Sequence, residues 1–312
     1  MKRTLLAVTM LLSICFASSG KDPVRPPITG IAHAAFFTKD LDNTRAFFKE
    51  YLGYDEPVVM KKEDGSIAFT LIKINDRQLV ELFPERKADA PRMYHFAVET
   101  TDAEAMRLYL KSRGCKVPDT TPRGRTGNLN YFVRDPNGVI CEIVEYAADG
   151  CTAKDHGMHL PDTRISDHMS HVGFTTPDLD KALSFYVDIL GFKEVWRGGP
   201  DPAKVKWVHL QVPDGEDTVE LMLFEKQPSW KSRGSMDHIC LYVPDIIKVK
   251  EILSSRTLPE GLRLPTEPKI GINRKYQINC YDLDDTRVEI MEDHTFDGSV
   301  PPSSTGVPMK FN

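Results

Sequence analysis

The sequence predicts an α+β protein built from four β-α-β-β-β modules joined in pairs. Three observations predict it. A capped helical segment occurs twice, 138 positions apart. A histidine lies in the short apolar strand before each of four helices. A glutamate between apolar neighbours closes each module in a later strand.

The N-terminus carries Lys2 and Arg3, then a mostly apolar run of 13 residues (5–17), then the small residues Ala17, Ser18, Ser19 and Gly20. That is the three-part pattern of a secretory signal peptide. The run is too short to cross a bilayer, which takes about 20 residues. Residues 1–19 therefore read as signal peptide and 20–30 as a polar, Pro-rich linker. The mature chain is expected to start between Ser18 and Lys21, to be secreted or periplasmic, and to have no stable membrane anchor.

The first module opens with an apolar strand at 31–37. Asp40 then caps a helix, because its carboxylate can accept the free N–H groups of the first turn. Thr44, Phe47, Phe48, Tyr51 and Leu52 form the buried stripe, and Gly53 suits the left-handed C-terminal cap. Asp40, Leu41, Asp42, Phe47, Leu52 and Gly53 return as Asp178, Leu179, Asp180, Phe185, Leu190 and Gly191. Two weaker copies lead from a strand at 93–98 into a helix near 103–113, and from a strand at 236–243 into a helix near 246–255. Strand-like runs follow each helix, at 69–74, 131–133, 207–212 and 276–281. Turn clusters such as Asn75-Asp76, Asp135-Pro136-Asn137-Gly138 and Pro213-Asp214-Gly215 separate them.

Residues 147–167 are polar, contain Gly150, Gly157 and Pro161, and show no periodicity. The domains are thus expected at 31–146 and 169–293, with a linker at 147–168 and a C-terminal tail at 294–312. The Pro- and Ser-rich stretch 300–312 is expected to be loose.

Composition excludes some function classes. Of 312 residues 41% are hydrophobic and 27% charged, with a formal charge of −5 and no long block of one sign. There is no basic footprint for nucleic acid and no polybasic membrane patch. Six cysteines (Cys15, Cys115, Cys141, Cys151, Cys240 and Cys280) become five once a signal is removed. No CxxC spacing exists for a thiolate metal site. The odd count leaves at least one thiol unpaired, and these cysteines read as small buried apolar residues.

The chemistry is expected at the repeated histidines and glutamates. His33, His95, His171 and His238 occupy the first strand of each module, and Glu81, Glu142, Glu220 and Glu289 the last. The His-to-Glu separations are 48, 47, 49 and 51 residues. A glutamate in an apolar strand is costly to bury alone, and a cation removes that cost. Imidazole nitrogen and carboxylate oxygen suit borderline divalent ions such as Zn, Ni, Mn or Fe. One module cannot close a four-ligand shell, whereas two can. His156, His159 and His168 read as solvated, and His209 as structural, with a place in the cleft lining as its alternative. Arg274, Lys275 and Tyr276 fit either an anion contact or a solvated strand edge.

This pattern resembles the vicinal-oxygen-chelate superfamily, which unites glyoxalases, bleomycin-resistance proteins and extradiol dioxygenases, over nearly all of residues 31–293. The third module, His171-Val172-Gly173-Phe174-Thr175-Thr176 followed by Ala182, Phe185-Tyr186 and Leu190-Gly191-Phe192, is similar to the glyoxalase I signature and departs from it mainly at Thr176. The resemblance implies paired modules forming two half-barrels, each with a cleft. His33, Glu81, His95 and Glu142 would bind one metal ion, and His171, Glu220, His238 and Glu289 another. Some relatives swap module pairing, although short links favour adjacent pairs. The leading expectation is a glyoxalase-like lyase or isomerase that stabilises an enediolate of a small substrate with adjacent oxygens, with Glu142 and Glu289 as the proton-moving bases. An extradiol dioxygenase is the alternative. Against it, that family uses histidine where Glu220 stands, and its Tyr-x-x-Asp-Pro-x-Gly run is degraded to Tyr281-Asp282-Leu283-Asp284-Asp285-Thr286-Arg287. A binding or resistance protein is the third, disfavoured by eight retained ligand-type residues. The expected partner is a small molecule, and the chain a monomer or homodimer.

Overall fold

The computed structural model describes residues 22–87, 92–224 and 236–310. The expected signal peptide, and Cys15 within it, lie outside these residues. No helix among them is long and apolar enough to cross a membrane.

Two curled mixed sheets carry the four modules. The first holds β1 (Ile28–Thr38), β2 (Asp55–Lys61), β3 (Ile67–Lys73), β4 (Leu79–Pro84), β5 (Met93–Thr100), β6 (Leu129–Arg134) and β7 (Ile140–Glu145). Its order is β2-β3-β4-β1-β5-β7-β6. The second comprises β8 (His168–Thr176), β9 (Lys193–Gly198), β11 (Trp207–Gln211), β12 (Thr218–Leu223), β13 (His238–Val243), β14 (Lys269–Ile270), β15 (Tyr276–Tyr281) and β16 (Arg287–Glu292). Its order is β14-β15-β16-β13-β8-β12-β11-β9. Modules one and two thus share one sheet, and three and four the other. In each, the two first strands run antiparallel down the middle, β1 against β5 and β8 against β13.

Side chains alternate along these strands with period two. On the helix-covered face, Ala34, Phe36, Val80, Leu82, Val172, Phe174, Val219 and Leu221 join one large apolar core. His33, Ala35 and Phe37 take the other face of β1, where Ala35 and Phe37 pack with Phe69, Leu71, Leu79 and Phe83. The two halves also pack on each other. The rings of Phe96 and Phe174 stack at 5.3 Å. Tyr109 Oη donates to the Ile189 carbonyl at 2.7 Å, and Arg256 Nη1 to that of Tyr51 at 2.6 Å.

Asp40 and Asp178 cap their helices through the N–H groups of Asn43 and Lys181, as the sequence requires. The first helix changes pitch. An α-helix over Leu41–Ala46 continues as a π-turn over Phe47–Tyr51, and Phe47, Phe48 and Tyr51 are all buried. The wider turn keeps adjacent aromatics on one inward face. Gly53 is left-handed (φ +81°), and a Cβ there would lie 2.1 Å from the Thr163 carbonyl oxygen.

Three expectations need correction. Module two has no regular strand directly after its helix Ala103–Ser112; only the isolated bridge Arg123↔Leu129 precedes β6. Pro118, Pro122, Gly124 and Gly127 explain this, since proline cannot donate to a ladder and glycine weakens a strand. The tail is not loose. β10 (Lys204–Val205) pairs in parallel with β17 (Val307–Pro308), and Trp196 Nε1 donates to the Pro302 carbonyl at 3.1 Å. The stretch 147–167 also packs: it forms a short helix, Cys151–Lys154, and buries Ile165, while Asp155 and the Met158 carbonyl bind the buried Lys73 ammonium, each at 2.8 Å.

Candidate metal centres

Register brings the repeated residues together. In β1, Ala35 stands opposite both Glu81 and His95, and Ala97 stands opposite both His33 and Glu142. In the second sheet Gly173 faces Glu220 and His238, and Cys240 faces His171 and Glu289. The residue two places after each histidine is therefore a small one beneath the centre, and four ligand-type side chains converge above each such pair.

In the N-terminal half the Nε2 atoms of His33 and His95 are 3.0 Å apart. Glu142 Oε2 lies 2.8 Å from His95 Nε2 and 3.3 Å from His33 Nε2. Glu81 Oε2 lies 3.8 and 3.6 Å from the same two nitrogens. In the C-terminal half His171 and His238 face each other at 3.3 Å. Glu220 Oε2 is 4.0 and 3.3 Å from them, and Glu289 Oε2 3.5 and 3.4 Å. Bonds of about 2.0–2.2 Å to nitrogen and oxygen would put neighbouring donors about 3–3.5 Å apart. Both constellations therefore fit one ion each, and all eight side chains singled out from the sequence meet at these two points.

Electrostatics separate the centres. Burial opposes a charge on His33, but Glu81 and Glu142 outweigh it and raise its pKa to about 9. Burial likewise opposes ionisation of Glu142, yet the two imidazoles hold it well below the usual carboxylate range, while burial pushes Glu81 up. In the absence of an ion this cluster thus retains a proton that a metal must displace. His171 moves the other way, to about 4, because burial is joined by repulsion from His209 and His238. Glu220, buried but paired with His209, falls to about 2.

Further groups hold the ligands in place. Asn130 Nδ2 donates to Glu142 Oε1 at 2.6 Å, and Gln277 Nε2 to Glu289 Oε1 at 2.7 Å. Both amides stand 12 residues before their glutamate, a spacing the sequence contains but its analysis missed. His238 Nδ1 donates to the Met236 carbonyl at 2.7 Å, which leaves Nε2 bare for an ion. His95 Nδ1 has no such partner among the described residues. Cys240 lies beside His171 and Glu289, but burial pushes its thiol well above the usual range, so it stays protonated.

His209 follows its alternative reading and lines the cleft. It stands opposite Glu220, its Nε2 3.5 Å from Glu220 Oε1, and it lines the cavity. The alternation Trp207, His209, Gln211 along β11 was the available signal. His156 and His159 are exposed, the latter paired with Asp155. His168 binds Asp217 at 2.7 Å away from both centres. Arg274 pairs with Asp297, and Lys275 donates to Tyr242 Oη and the Asp293 carbonyl, each at 2.9 Å, so neither faces a centre.

The cavities differ. The N-terminal one, about 170 Å³, is walled by Phe69, Phe83, Tyr94 and Phe132. The C-terminal one, about 420 Å³, is lined by Trp196, Trp207, Met222, Met291, Lys206 and Arg287 among others.

The sequence pattern of the Glyoxalase/Bleomycin resistance protein/Dioxygenase superfamily matches residues 30–143 and 168–290. The chain belongs to that superfamily. Among curated proteins no relative matches. Solved structures of the superfamily are similar in fold. The 2,3-dioxygenase LapB from Pseudomonas sp. KL28 aligns at 15% identity with a TM-score of 0.65, over 92% of this chain and 98% of that one. The Mn(II)-bound glyoxalase from Novosphingobium aromaticivorans aligns at 16% and 0.65, over 92% and 88%. A variant of homoprotocatechuate 2,3-dioxygenase from B. fuscum aligns at 16% and 0.66, over 93% and 77%.

Proposed function

We propose that this superfamily member is an exported, metal-dependent enzyme of redox-neutral chemistry, a glyoxalase-like lyase or isomerase acting on a small substrate with adjacent oxygens. The supporting observation is the donor count. Each centre sets two carboxylates, Glu81 with Glu142 and Glu220 with Glu289, against two imidazoles. A divalent ion held there would polarise two adjacent substrate oxygens as a Lewis acid. Oxygen-activating iron works with two histidines and one carboxylate and keeps positions open. A second carboxylate takes one of those positions and adds a base.

The chain's own residues divide the remaining work. Glu142 and Glu289 are the proposed bases. Each has one oxygen anchored by an amide, Asn130 or Gln277, while the other faces the centre. That second oxygen is also the metal ligand, so it takes a substrate proton once substrate binding weakens or displaces its bond to the ion, while the amide keeps the carboxylate within hydrogen-bond reach.

Extradiol ring cleavage is the second reading, supported by the likeness in fold to two dioxygenases. Metal-loaded protein in deuterated water, without oxygen, tests both. Hydrogen exchange and turnover of a substrate with adjacent oxygens are expected. Oxygen-dependent cleavage of a catechol by the iron form would overturn the proposal. Export is tested separately by N-terminal sequencing of secreted protein, where an intact Met1 would refute cleavage.

A further inference from the structure

One side chain of the C-terminal cavity is left unexplained by the ligand set. The positions two residues before the four glutamates hold Leu79, Ile140, Thr218 and Arg287. Only the last is charged. Alternation along β16 places Arg287, Glu289 and Met291 together on the cavity wall. Arg287 makes no ion pair among the described residues, and its Nε is buried with no hydrogen-bond partner. Its Nη2 lies 2.6 Å from His238 Nδ1. That nitrogen donates to the Met236 carbonyl whenever Nε2 is bare for an ion, so it cannot also accept from Arg287. With an ion bound, both Nε and Nη2 of one guanidinium edge lack an acceptor. A buried donor left without a partner is destabilising. Two adjacent N–H groups on one edge match the two oxygens of a carboxylate. Lys206 and Lys269 line the same cavity, and neither forms an ion pair among the described residues. In the N-terminal half the corresponding strand position is the apolar Ile140, and the arginines lining that cavity, Arg86 and Arg125, stand over the rings of Phe37 and Phe69.

We infer that Arg287 is the anion-binding residue of the C-terminal centre, and that this centre takes a carboxylate with an oxygen on the adjacent carbon, a 2-oxo or 2-hydroxy acid. The two halves of the chain then differ in the strand residue two places before the second glutamate, arginine in one and isoleucine in the other. This rests on the metal-dependent reading above.

The test uses the full chain with His33→Ala and His95→Ala, so that only the C-terminal centre loads, and Zn(II) as the ion. Oxalate, an anion with adjacent oxygens, and oxamide, its neutral analogue, are titrated by calorimetry. Arg287→Gln should weaken oxalate on the order of tenfold to a hundredfold, as expected for a lost charge-assisted hydrogen bond. Oxamide should change less than about twofold by the same reasoning. Arg287→Lys should recover part of the oxalate affinity, since the charge returns without the fork. It also serves as the second variant if the Gln chain melts early. Zinc affinity should stay equal or rise, because a neighbouring cation is removed; a merely structural role in seating His238 would lower it. Unchanged oxalate binding in zinc-loaded Arg287→Gln overturns the inference and leaves the enzyme reading standing. A C-terminal centre that takes no zinc overturns the enzyme reading, and the inference falls with it.

Discussion

Gly173→Ala adds one methyl group beneath the C-terminal centre. An ideal Cβ there would lie 2.1 Å from Cε1, 2.6 Å from Nδ1 and 2.8 Å from Nε2 of His238. Carbon atoms rest about 3.5–4.0 Å apart, so the ring must withdraw by more than about 1 Å. Metal–ligand distances tolerate about 0.2 Å, so the withdrawn ring no longer serves as a ligand in place. Withdrawal also breaks the 2.7 Å bond from Nδ1 to the Met236 carbonyl. Loss of an outer partner alone typically lowers metal affinity 10–100-fold, about 1.4–2.7 kcal/mol. The total loss should therefore be at least that large. The N-terminal half already accommodates a Cβ here, with its histidine seated differently. Ala35 occupies the matching position, and His95 opposite it has no partner at Nδ1. Overpacking of this kind costs about 1–3 kcal/mol, so the metal-free chain should also melt somewhat earlier, and metal affinity is read at a temperature where it stays folded. Competition with a chromophoric chelator reads the effect directly. The variant should keep one tight ion per chain and lose or weaken the second. Two ions bound with unchanged affinity would refute the reasoning.

Further outcomes follow from the same geometry. Replacing both His171 and His238 with Ala should remove about half the metal of a fully loaded chain, measured by elemental analysis; unchanged content would exclude the second centre as drawn. Glu289→Gln preserves volume and fold, and should cost at least about 10²-fold in turnover if Glu289 is the base; Glu142→Gln should do the same for the N-terminal centre. Burial raises the Asp282 carboxyl to about 6. The folded state then holds its proton more tightly than the unfolded chain, whose Asp titrates near 3.9. Stability should fall as pH rises from about 4 to about 6, by up to about 3 kcal/mol from this group. Asp282→Asn retains an acceptor for the N–H groups of Asp284 and Thr286. Its denaturation midpoint should therefore gain on the parent across that window, and parallel pH profiles would rule the assignment out.

The modular plan and the ligand types were legible in the chain because they rest on local chemistry. Asp40 and Asp178 cap helices through N–H groups three residues away. Gly53 and Gly191 adopt positive φ because their helices end there. The glutamates stand out because an acid between apolar strand neighbours needs a charge partner wherever it is buried. Local rules also account for the irregular stretch of module two, since Pro118 and Pro122 argue against a strand there.

What the tertiary structure decided depends on which strands become neighbours. Pairing of β1 with β5 and of β8 with β13 sorts eight candidate ligands into two sets of four, a choice that the shorter links within each half favour but only strand neighbours make. The tail is held by a two-residue ladder to β10, which no periodicity announces. The difference between the centres is likewise non-local. His209, Gln277 and Arg287 are ordinary strand residues until curvature points them at an ion site, whereas Leu71 and Ile140 take two of those places in the other half. Periodicity reports which face a side chain takes. Only the packed sheet decides what stands across from it, and with it how the two centres of one repeat come to differ.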